Sequence, residues 1–198
     1  MMRTAGKVNS LILRELKNII KPGISTMDID QFVEKTVKEH GMIASEKGYC
    51  DYPASACVSV NEEVVHGIPS KKRILQEGDI VSVDLVVEYK GYMADAARTY
   101  GVGEISSEAK HLIDTAEAAF FEGIKFAREG YRLYDISHAI QQKVEGEGFG
   151  VIRDFVGHGI GSEMHEEPQI PNYGKAGKGP RLQTGMTLAI EPMIVEGS

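Results

Sequence analysis

Hydrophobic residues recur along this chain with two periods, and the periods alternate. Val8, Leu11, Ile12, Leu16, Ile19 and Ile20 fall at helical spacing, and Pro22-Gly23 stops the run. A second helix is predicted to open at Ser25 or Thr26, with Asp28 completing a capping box from Ser25. It passes through Ile29, Phe32, Val33 and Val37 to Gly41, which suits a helix C-terminus. The period then drops to two. Residues 56–60 alternate, Asn61-Glu62 reads as a turn, and residues 80–89 form a strand that Lys90-Gly91 turns back into residues 92–100 as a hairpin. Helical spacing returns at Leu112, Ile113, Ala116, Ala119, Phe120, Gly123, Ile124 and Ala127, ending near Gly130. It returns again from Asp135 through Ile136, Ala139, Ile140 and Val144, before strand-like segments at 151–156 and 186–194.

The order of elements repeats, and so do residues. Leu75, Gln76, Gly78 and Asp84 have counterparts in Leu182, Gln183, Gly185 and Glu191, each 107 positions later. The same offset takes Gly23 to Gly130, Asp28-Ile29 to Asp135-Ile136 and Gly41 to Gly148. A repeat of this length implies two pseudo-symmetric halves, approximately 1–105 and 106–198, rather than a solenoid. No Ser/Gly/Pro-rich linker separates them, so one domain over residues 1–198 is expected.

Both copies of the repeat end in an acid on an apolar strand. In the first, Val81, Val83, Leu85 and Val87 share one face, and Ile80, Ser82, Asp84 and Val86 share the other. A lone ionised carboxylate there costs several kcal/mol, so Asp84 calls for a cation, an arginine or a proton. Asp95 lies 11 residues on, across the hairpin, where two acids can approach on adjacent strands; pairing with Arg98 is the alternative. The second half supplies Glu191 and His158, the latter in Gly157-His158-Gly159-Ile160-Gly161, where glycines are expected to turn the chain sharply and leave the imidazole accessible. Three carboxylates and a histidine, with no sulfur, suit Mn, Fe, Co or Zn. Several bridging carboxylates raise the prospect of two ions that activate a water and polarise a carbonyl. His66 and His165 are placed to bind a substrate carbonyl or move a proton, whereas His40, His111 and His138 read as surface residues of helical segments.

Composition narrows the class. With 198 residues and 42% hydrophobic content the chain can bury a core, and a net charge of −7 without charge blocks argues against a non-specific nucleic-acid binder. Cys50 and Cys57 show no metal or disulfide spacing, which points to reduced thiols and a cytoplasmic protein. The N-terminus lacks an apolar signal core, and no apolar run reaches the roughly 20 residues that span a bilayer.

At these residues the chain resembles the type I methionine aminopeptidases. The resemblance rests on residues 61–69 (NEEVVHGIP), 78–84 (GDIVSVD), 157–161 (GHGIG), 165–168 (HEEP) and 185–193 (GMTLAIEPM), in order along nearly the whole chain. It implies the α+β pita-bread fold, with two pseudo-symmetric halves forming a curved antiparallel sheet backed by helices. It implies a catalytic domain that removes the initiator methionine from nascent chains or peptides, using two divalent ions (Co, Mn, Fe or Zn). Asp84, Asp95, His158 and Glu191 are then metal ligands, Asp95 bridging, with Glu191 also handling the proton of the attacking water. His66 and His165 contact the substrate and stabilise the tetrahedral intermediate, and Tyr49, Tyr52 and Cys57 line the methionine pocket. A cytoplasmic monomer in transient contact with the ribosome, with no nucleic-acid motif and no membrane segment, is expected. The family pattern includes a fifth ligand, a bridging glutamate on a late strand, and the repeat places the counterpart of Asp95 past the last residue, Ser198. The C-terminal strands are thus expected to be missing, with the second ion weakly held and activity reduced. Competing expectations are a peptidase that cleaves before proline and a related binding module without catalysis.

Overall fold

Ile80–Tyr89 forms the strand that the alternation predicts, and one unit of the molecule is arranged on it. The structure, a computed structural model, describes residues 1–197; Ser198, and with it the expectation of strands missing beyond the chain's end, lies outside the described residues. The chain divides into two units, the first holding residues 1–106 with 161–164 and the second the remainder.

The first unit contains α1 (Met2–Ile19), α2 (Thr26–Glu39), β1 (Ile43–Ala44), β2 (Cys57–Val60), β3 (Ile80–Tyr89) and β4 (Tyr92–Gly101). β4 covers one edge of β3 along its whole length, and the shorter β1 and β2 share the other edge, all antiparallel. Lys90 and Gly91 both take positive φ, +54° and +77°, as the two-residue hairpin turn requires. The predicted inner face is fully buried: Val81, Val83, Leu85 and Val87 pack with Ile12 and Leu16 of α1 and with Ile29, Val33 and Val37 of α2. Each such side chain contributes about 1.5–3 kcal/mol. The helix starts earlier than the apolar spacing suggests, because Ala5 extends the buried stripe toward the N-terminus. Ser25 and Asp28 form the predicted capping box: Ser25 N–H donates to Asp28 Oδ2 at 2.7 Å, and Asp28 N–H donates to Ser25 Oγ at 3.2 Å.

The second unit contains α3 (Ser107–Ile124), α4 (Leu133–Gly146), β5 (Phe149–Val151), β6 (Gly157–Gly159), β7 (Glu166–Ile170), β8 (Leu188–Ala189) and β9 (Ile194–Glu196). β5 pairs with β9, and β6 lies between β7 and β8, all antiparallel. Its core gathers Ala119, Leu133, Ile136, Ile140, Val144, Ile170 and Leu182. The α+β class is therefore the expected one.

The repeat persists in the hydrogen bonds of each unit. Thr26 N–H donates to Arg73 O at 2.9 Å, and 107 positions on Leu133 N–H donates to Pro180 O at 2.9 Å. Leu75 N–H reaches Ile24 O at 2.8 Å, as Leu182 N–H reaches Tyr131 O at 3.0 Å. Asp135 accepts from Arg132 N–H at 2.7 Å, as Asp28 does from Ser25. Arginine has no side-chain acceptor to return the bond, so the second helix keeps only the acid's half of the cap.

Three expectations fail locally. Helix α3 stops at Ile124, short of Gly130. Residues 152–156 form no strand, and 186–194 breaks into β8 and β9. The break falls at Pro192, which cannot donate to a ladder, whereas the matching stretch of β3 has no proline.

Candidate metal centre

The first unit presents two carboxylates on one sheet face. In the β3–β4 register Asp84 lies opposite Ala97 and Val86 opposite Asp95. Asp84 and Asp95 are therefore diagonal neighbours on the face opposite the core, their Cα atoms about 7–8 Å apart by sheet geometry. Both are half-buried. Arg98, three residues from Asp95, stands opposite core residue Val83 and so points from the other face, which removes the expected alternative pairing. Asn9 of α1, 1% exposed, supports the level of both acids: its Nδ2 donates to Leu85 O at 2.9 Å and to Ala94 O at 3.1 Å. Those carbonyls belong to the residue after Asp84 and the residue before Asp95. Asn9 was invisible as a site residue in the sequence, since nothing local links it to strands 76 and 85 positions away.

In the second unit His158 faces Glu191. Nε2 of His158 lies 3.1 Å from Glu191 Oε1. Its Nδ1 lies 2.8 Å from Gly159 O, which can only accept, so Nδ1 carries a proton. A neutral imidazole then offers its Nε2 lone pair to a carboxylate oxygen, and two acceptors at that distance call for a cation or a second proton between them. Fixing of one ring nitrogen by a carbonyl is also how metal-binding histidines are oriented. The donor set of this face, nitrogen and carboxylate oxygen without sulfur, fits a divalent transition ion.

The expected turn around His158 is instead a buried strand, and the imidazole is enclosed rather than accessible, at 7% exposure. The glycines are required for closeness, not for turning. A Cβ on Gly157 would collide with Ala189 O, and one on Gly159 with Glu167 O. Asn172, 1% exposed, donates to Glu191 O at 2.7 Å and holds that backbone where Pro192 interrupts the ladder. His165 is exposed just before β7, its ring centroid 4.2 Å from that of His158.

The remaining candidates lie in the first unit. His66 is exposed on the connection from β2 to β3 with φ of +59°. Tyr49 is exposed on a short turn (Tyr49–Asp51), Tyr52 is half-buried, and Cys57 is buried on β2 directly opposite Asp84. Burial pushes the Cys57 thiol well above the usual cysteine range, so it stays neutral. Of the three histidines read as surface residues, His40 and His111 are exposed, but His138 is half-buried, with Nδ1 3.2 Å from Gly174 O.

Comparison with known proteins agrees with this chemistry. The sequence model of metallopeptidase family M24 matches residues 1–198. The methionine aminopeptidase of Clostridium acetobutylicum is 54% identical over 197 residues, 100% of this chain and 79% of that protein. Methionine aminopeptidase 1 of Bacillus subtilis is 52% identical over 197 residues, with the same coverage of 100% and 79%. The crystal structure of methionine aminopeptidase from Thermotoga maritima has a TM-score of 0.97 and 49% identity, covering 99% of this chain and 79% of that one. The fold is thus the expected pita-bread fold, and the chain spans about 79% of the length of these relatives.

Proposed function

Because the chain belongs to metallopeptidase family M24, and within it to the methionine aminopeptidases, we propose that it hydrolyses the first peptide bond of chains that begin with methionine. Asp84, Asp95, His158 and Glu191 would hold two divalent ions, with Co, Mn, Fe or Zn all compatible with the donors. The observation that carries this reading is the His158–Glu191 pair, whose Nε2 and Oε1 lie 3.1 Å apart, both of them donor types that a divalent ion takes. When bound, the ions lower the pKa of a water and polarise the scissile carbonyl.

The chain's own residues do the rest. Glu191 takes the proton of the attacking water and delivers it to the leaving amine. His66 and His165 hydrogen-bond the substrate carbonyl and the oxyanion that develops on it. Tyr49, Tyr52 and the neutral Cys57 thiol line a pocket for the thioether, for which a soft apolar wall is suited. Action on nascent chains by a cytoplasmic monomer, in transient contact with the ribosome, belongs to the same proposal; the similarity to methionine aminopeptidases supports the substrate class. Among the described residues no helix is long and apolar enough to cross a membrane.

The test is hydrolysis of Met-Ala-Ser against Ala-Pro and other X-Pro peptides, with Mn or Co added, alongside calorimetric titration of each metal. Methionine release that is lost in Glu191→Gln, together with metal binding weakened in His158→Ala, is expected. Preferential cleavage before proline, or unchanged metal binding by His158→Ala, would refute it.

A further inference from the structure

His66 is an exposed side chain in a backbone conformation that non-glycine residues avoid, at a cost of about 1–3 kcal/mol. Such a conformation persists only when its surroundings impose it, and the imposing contacts converge on the next residue. Gly67 N–H donates to Ser59 Oγ at 3.0 Å. Gly67 O accepts from Val58 N–H at 2.9 Å and from Tyr52 OH at 2.8 Å. The loop lies so close on β2 that a Cβ on Gly67 would strike Val58 O. The Tyr52 hydroxyl also approaches Ala56 O at 3.3 Å, but its single proton has the shorter path to Gly67.

The segment that carries Tyr52 is itself anchored. Asp30 of α2, 5% exposed, accepts from Ser55 N–H at 2.7 Å and from Ala56 N–H at 3.0 Å. The backbone three and four residues beyond Tyr52 is thus fixed, and burial keeps the Tyr52 phenol protonated, hence a donor, far above neutral pH.

We infer that Tyr52 and Ser59 are positioning residues for His66: their hydroxyls clamp Gly67 and hold the imidazole in its strained, outward conformation. The inference rests on the role proposed for His66. It reassigns the Tyr52 hydroxyl from wall of the methionine pocket to a strut between that pocket and the histidine. Without the clamp, the loop relaxes and the imidazole spends most of its time misplaced, and misplacement by about 1 Å can cost roughly a hundredfold in rate.

The test combines kinetics and spectroscopy on Tyr52→Phe and Ser59→Ala. Each is expected to lower kcat on Met-Ala-Ser by about tenfold or more, with KM and the preference for methionine over leucine held within about twofold. In a His66→Ala background, Tyr52→Phe should change kcat no further, since it acts through the missing ring. Raised KM or altered side-chain preference at unchanged kcat, or an undiminished effect in the His66→Ala background, would overturn the clamp. A second readout needs no turnover: in a proton–nitrogen spectrum Tyr52→Phe should shift or broaden the His66 imidazole signals and leave those of His138 in place. Unmoved His66 signals overturn the clamp. Moved signals with wild-type kcat in His66→Ala support the clamp and instead overturn the role given to His66.

Discussion

Asn9 offers the most direct probe of how the fold supports the two carboxylates of the first unit. Asn9→Ala removes two hydrogen bonds, to Leu85 O and Ala94 O, each contributing about 1 kcal/mol net. It leaves the Leu85 carbonyl buried without that donor, adding about 1 kcal/mol. One term runs the other way: Asn9 Oδ1 is buried and unsatisfied among the described residues, and deleting it recovers about 1 kcal/mol. The vacated volume adds about 1 kcal/mol. The sum is a loss of about 3 kcal/mol, or about 6–12 °C in unfolding midpoint at this size. Asn9→Asp is nearly isosteric but turns the donor into a second acceptor against two carbonyls. Its carboxyl must stay protonated to donate, so its pKa in the folded state is raised. A raised folded-state pKa means that stability is present at low pH and lost as pH rises through it. Asn9→Asp should therefore approach wild-type stability near pH 4 and fall below Asn9→Ala near pH 8. Urea unfolding of the metal-free protein at both pH values measures this, and calorimetric metal titration shows whether the Asp84–Asp95 level is disturbed. A loss below about 0.5 kcal/mol for Asn9→Ala, or a pH-independent Asn9→Asp, would refute the reasoning.

Other outcomes follow from single contacts. Ser25→Ala should cost about 1 kcal/mol through loss of the α2 cap, read by urea unfolding. The side-chain hydrogen bond from Ser25 to Asp28, with the backbone bond second, holds that carboxyl below the usual range, so its stabilisation is lost as pH falls through the folded-state value; Asp28→Asn should flatten the acid limb of the stability profile. Gly159→Ala forces a Cβ against Glu167 O and should destabilise by about 1–3 kcal/mol while weakening metal binding, because β6 carries His158. Iodoacetamide at pH 8 should label exposed Cys50 and spare Cys57, which is 2% exposed with its thiol held neutral by burial; equal labelling by mass spectrometry would contradict that placement.

Much of the molecule was legible without coordinates because it depends on neighbours in sequence. The stripe from Val8 to Leu16, the Ser25–Asp28 box, the Lys90-Gly91 turn and the inner face of β3 each follow from a period or a local bond. The repeat was legible for the same reason: matched local rules leave matched residues, and Asp84 and Glu191 announce themselves as acids where an apolar strand expects none. What the sequence could not supply was anything decided by approach between distant segments. It read Gly157-His158-Gly159 as an accessible turn, although neighbouring carbonyls make it a buried strand. It held no sign that Asn9 braces β3 and β4, or that Tyr52 and Ser59 seize Gly67 beside His66. Such bonds join groups many residues apart, and only the packed chain brings their donors and acceptors within reach. The sequence thus determined which residue types could hold metal and move protons, and the tertiary structure decided which of them are buried and what holds their backbone in place, because those contacts join distant segments.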